Sequence, residues 1–116
     1  MGIVTIDPAK KEVIDRAKAQ AALDAWFAGK IAEGFTTPDG FVLGLEVNDV
    51  SLLTGNYVLS KEAASLGYPI PPIVDVAGLP HAVANIDYLT GIMLAYGQHR
   101  ASLSAQYAIS KAGLEG

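Results

Sequence analysis

The 116-residue chain contains no cysteine, which removes disulfides, thiolate metal sites and cysteine nucleophiles together. Charge is also scarce, at 17% of residues, and what there is leans acidic, with a formal net charge of −4. Between Thr36 and His99 the acids are Asp39, Glu46, Asp49, Glu62, Asp75 and Asp87, and Lys61 is the sole base. Such a surface repels phosphate backbones and argues against nucleic-acid binding. No apolar run reaches membrane-spanning length, because Gly, Pro, Asp or Asn interrupts each one. The first residues, MGIVTIDPAKKEV, place their lysines after the apolar positions, unlike a secretion signal. The expectation is a protein without a membrane segment, made and used as written. Disorder is excluded by an apolar content of 51%.

What the chain does have is helical periodicity broken by glycine and proline. One domain is expected over residues 1–116, with an arm and helix at 1–33, free to project or to oligomerise, and a compact part at 34–116. Residues 2–6 alternate weakly, as a short strand or a loose arm. Asp7-Pro8 reads as an N-cap acid followed by proline at the first helical position, where its missing amide costs nothing. The first helix is then expected over 8–33, closed by Gly34. Pro38-Asp39-Gly40 presets a turn between arms at 35–37 and 41–45. Asn48 is expected to cap a second helix running to about 66, weakened at Gly55-Asn56 so that a kink or break there is allowed, with Gly67 as its stop. The stiff Tyr68-Pro-Ile-Pro-Pro segment leads to a second hairpin, with arms 73–74 and 79–83 and a turn at 75–78. Asn85 then caps a long last helix. The fold class implied is a small, helix-dominated α+β domain in the order helix, hairpin, helix, hairpin, helix.

The last helix carries the most regular pattern. Ile86, Leu89, Met93, Tyr96, Arg100, Leu103 and Tyr107 recur at alternating steps of three and four, a heptad-like seam. A seam needs a partner, which is either the rest of this chain or a second copy. As a hypothesis these seven residues form an interface between copies.

Candidate chemistry is sparse. Asp75 and His81 face each other across a short turn, a spacing compatible with a general-base pair, but no nucleophile accompanies them. The commoner role for such an Asp is to organise the turn. Asp39, Glu46 and Asp49 lack the alternating-acid pattern of a calcium loop, and His99 has no second histidine at helical spacing. Gly34, Gly40 and Gly44 fit neither the dinucleotide fingerprint nor the P-loop. Ser102, Ser104 and Ser110 lack a neighbouring base. No catalytic residue, cofactor or metal is therefore expected. An alternative role, a small carbohydrate- or ligand-binding module, would use Trp26, Tyr57 or Tyr68 as a stacking platform, although most aromatics in a domain of this size serve the core.

The order of elements resembles a known family. Gly34-Phe35 at a glycine-aromatic step, the arm at 41–45, the middle helix 48–66, the Asp75 to Gly78 turn and the last helix with its Ile109-Ser110-Lys111-Ala112 tail occupy matching places. In this the chain is similar to the uncharacterised domain near the C-termini of many bacteriophage tail-fibre and related tail proteins. The resemblance implies a non-catalytic virion structural protein of a tailed phage or prophage, fibre- or baseplate-associated. It would be synthesised in the bacterial cytoplasm and act through contacts with other phage structural proteins. It also implies a homo-oligomer, trimeric by analogy with fibres.

Overall fold

The computed structural model describes residues 8–115, and its seven elements follow the expected α+β order. Helix α1 spans Pro8–Glu33, strands β1 and β2 span Phe35–Thr36 and Val42–Leu43, and helix α2 spans Val47–Ser65. Strands β3 and β4 span Ile73–Val74 and Pro80–His81, and helix α3 spans Ile86–Glu115. The weak strand or arm expected at 2–6 and the Asp7 cap lie outside the described residues.

Each junction has a local cause. Gly34 ends α1 at φ +73°, and its N–H reaches Ile31 O at 3.2 Å. A side chain there would also collide with β2, since a Cβ would stand 2.7 Å from Val42 Cγ1 and 2.8 Å from Leu43 O. Only glycine satisfies both conditions. The first hairpin pairs Phe35 with Leu43 and Thr36 with Val42, and Gly40 N–H donates to Thr37 O at 2.9 Å across Pro38-Asp39. The second pairs Ile73 with His81 and Val74 with Pro80, so its return arm is shorter than the expected 79–83. Val76 N–H donates to Val42 O at 3.0 Å and ties the two hairpins together.

The helix ends show where the sequence reading needs correction. Glu46, not Asn48, is the N-cap of α2, and its backbone N–H donates to Asp49 Oδ2 at 3.2 Å. An acid three residues inside the helix supplies this cap, as in a capping box. Gly55-Asn56 does not interrupt α2, because Leu53, Val50 and Tyr57 hold its inner side against the core. Asn85 does cap α3, accepting from Tyr88 N–H at 2.8 Å. That helix continues to Glu115.

The core lies where α3 crosses the hairpins. Leu43, Leu45, Ile73, Leu89, Ile92, Tyr96 and Leu103 are buried there, with Ile31 joining from α1. Beyond it the molecule narrows. Helices α1 and α3 continue as an antiparallel pair in which Phe27 meets Tyr107 at 5.0 Å between ring centroids. The Tyr107 hydroxyl donates to Asp24 at 2.7 Å, and Gln20 Nε2 donates to both Asp24 at 2.8 Å and Tyr107 at 3.2 Å. From Lys10 to Lys18 every residue of α1 is exposed. The result measures 82 × 26 × 21 Å with a radius of gyration of 21.0 Å. A compact chain of this length has about 13 Å.

Candidate functional site

The α3 seam is the frame on which everything else hangs. Leu89, Tyr96 and Leu103 are buried, and Ile86, Met93, Arg100 and Tyr107 are half-buried, all within this chain. Tyr96 donates its hydroxyl to Gly44 O at 2.6 Å, and one turn later Arg100 Nε donates to Leu45 O at 3.1 Å. Two side chains four residues apart thus hold the exit of β2. Arg100 also covers the Phe27 ring at 5.3 Å and donates through Nη1 to Ser104 at 2.6 Å. Burial, then the nearby Asp49 carboxylate, push the Tyr96 phenol above its ordinary pKa, with Arg100 opposing. Within this chain the seam meets Phe27, Gly44 and Leu45, and four of its seven residues keep part of their surface.

The aromatics considered for stacking are not gathered. Trp26 is half-buried beside a shallow cleft of ≈ 400 Å³ with Leu23, Gln106, Ile109 and Ser110. Tyr57 is half-buried on α2, its hydroxyl 2.8 Å from Thr90 Oγ1 and Lys61 over its ring at 5.6 Å. Tyr68 is 66% exposed in the proline-rich connection.

A polar cluster does form at the hairpin tips. Asp75 Oδ1 accepts from Ala77 N–H at 2.9 Å and Leu79 N–H at 3.0 Å, and its Oδ2 lies 2.6 Å from His81 Nε2. Its side chain is only 7% exposed. The bond from His81, then those from the turn amides, hold the Asp75 carboxyl below its usual range. The His81 ring stacks on Phe41 at 3.8 Å between centroids, 11° from parallel. Asp75 therefore organises the turn and anchors the histidine, which clasps the other hairpin. Nearby, the Tyr88 hydroxyl donates to Asp39, which raises the phenol's pKa. Asp39, Phe41, His81 and Tyr88 line an open cleft of ≈ 520 Å³. The Asp75–His81 pair was legible from its spacing. The Tyr88–Asp39 pair was not, because 49 residues separate them.

Two of the three acids weighed for a cation are otherwise engaged: Asp39 takes Tyr88 and Asp49 takes the Glu46 amide. Among the described residues no group of three or more potential ligands converges. His99 lies against Phe35, 5.6 Å between centroids.

No family model, curated protein or solved structure matches the chain. Its own surface is then the guide. Helix α2 has aliphatic side chains on both sides: Val50, Leu53 and Tyr57 pack inward, while Val47, Leu52, Val58 and Leu59, with Leu66 at the C-cap, are each at least 60% exposed. Beside it a groove of ≈ 230 Å³ is lined by Leu52, Leu53, Asn56, Val74 and Val76, among others.

Proposed function

We propose that this chain is a non-catalytic structural protein that works by assembly, with the tail of a tailed bacteriophage or prophage as its setting. The observation that carries the assembly reading is the outer face of α2, a run of exposed aliphatic side chains on a domain whose core is already filled. Exposed apolar surface of this extent marks a protein contact. The elongated form suits a subunit that bridges neighbours. The phage setting, fibre- or baseplate-associated, rests on the resemblance in element order. The partners are other tail proteins and further copies of this chain. An antibody raised against the chain should label tails in electron micrographs of particles from its host and sediment with them. Label confined to the soluble fraction would remove the virion role.

A ligand-binding module is the second reading, favoured by the cleft of Phe41, His81 and Tyr88 with Asp39 at its rim. Aromatic faces beside a carboxylate suit a sugar ring. Saturable glycan binding abolished by Tyr88→Ala, in a variant with unchanged helicity, would favour it over assembly.

A further inference from the structure

We infer that the outer face of α2 is a self-association surface, on which a second copy packs antiparallel across a two-fold axis at Gly55. The inference rests on the assembly reading and names one partner for it.

The helix geometry carries the argument. At about 100° per residue, Gly55 falls at the middle of the exposed face. Leu52 and Leu59 form a ridge on one side, and Ser51 and Val58 a lower ridge on the other. A two-fold axis through Gly55 reverses the helix while keeping each ridge on its own side. Leu52 of one copy then meets Leu59 of the other, twice over. Val58 meets Ser51, so a large side chain faces a small one. Glu62 falls opposite Asn48, so that pair brings no like charges together.

The surface also supplies a socket. The ≈ 230 Å³ groove opens along the Leu52 side of the helix, between α2 and the second hairpin, and its walls include the exposed Val74 and Val76. Under the two-fold operation Leu59 of the second copy arrives at that mouth. Leu59, 64% exposed on its own chain, becomes a knob, and the groove becomes its hole. At Gly55 a Cβ would meet nothing within 4 Å, so its own chain sets no limit on side-chain size there. Its smallness instead lets two helix backbones approach.

Area sets the strength. Leu52, Val58, Leu59, Val74 and Val76, exposing on the order of 100 Å² each, give roughly 1,000 Å² over both copies, the low end of specific interfaces. The dimer is therefore concentration-dependent. Three-fold symmetry, expected by analogy with fibres, does not generate this self-complementary contact.

The test uses the full chain in two measurements. Sedimentation equilibrium across a wide concentration range should show twice the 12.1 kDa protomer mass at the upper end. Leu59→Asp should weaken association by at least about tenfold, with circular dichroism unchanged, since the residue lies outside the core. Because the chain has no cysteine, Gly55→Cys introduces a unique thiol at the axis, and a short bismaleimide should link two copies through it. Lys11→Cys, far out on α1, should not cross-link. A monomer at every concentration, a trimer, a dimer indifferent to Leu59→Asp, or cross-linking through position 11 in place of 55 would each overturn the inference. None of these outcomes decides the labelling of tails, so the assembly reading stands or falls separately.

Discussion

At the scale of single residues, several polar side chains of this protein hold its own backbone. Asp75 shows the pattern most fully, with two turn amides and His81 on one carboxylate. Its folded-state pKa lies below the unfolded value near 3.9, so its stabilisation is complete above that value. As pH falls through the folded pKa the unfolded state binds the extra proton, and stability is lost. Asp24, held down by Tyr107 and Gln20, acts in the same direction. Melting temperature should therefore decline below about pH 4 in the parent, and Asp75→Asn should flatten that decline while lowering the plateau at neutral pH. A decline of unchanged steepness in the variant would refute the assignment. Tyr88, Tyr96 and Tyr107 have raised pKa values, so their contribution is lost as pH rises above about 10. Removing the buried Tyr96 hydroxyl is a sharper test, because it leaves Gly44 O without its donor. Tyr96→Phe should cost about 1–3 kcal/mol in chemical denaturation, and a neutral result would mean that water replaces the hydroxyl.

At the scale of elements, all three helices and both turns were legible because each is punctuated chemically. Pro38-Asp39-Gly40, Gly34, Gly67 and Asn85 do locally what such residues do anywhere. Asn85→Ala should remove about 1 kcal/mol, seen as a fall of about 4 °C in melting temperature. The failures came where tertiary contacts decide. Gly55 weakens α2 intrinsically, yet the inner side of the helix packs well enough to keep it continuous. The true α2 cap hid behind Asn48, a better capping residue by type than Glu46, because the bonding acid lies three positions further on. The seam was visible in the spacing, but its partner was not, since periodicity shows that a face is covered without showing by what. The hairpin cluster was half legible for the same reason: six residues join Asp75 to His81, whereas Asp39 and Tyr88 meet only through the fold. Gly55→Ala separates the two roles of α2. It should stabilise the protomer by up to about 1 kcal/mol through helix propensity while weakening the dimer by crowding its axis. Stabilisation with undiminished association would place the contact away from Gly55.

At the scale of the whole molecule, stability should be distributed along the long axis. The crossing of α3 with the hairpins buries most of the core, whereas Lys10 to Lys18 of α1 are all exposed. An isolated helix of that length is marginal in water, because its nucleation is not repaid by packing. Local opening should then be nearly free at that end and approach the global unfolding energy near Leu89 to Leu103. Native-state hydrogen exchange at low protein concentration should find amides of 10–18 exchanging orders of magnitude faster than those of 89–103. The contrast bears directly on assembly. If α2 is the contact between copies, raising the concentration should protect α2 and leave 10–18 fast. If protection instead grows along 10–18, the exposed Val13 and Ile14 are being covered, and α1 is the surface through which this protein meets its neighbours.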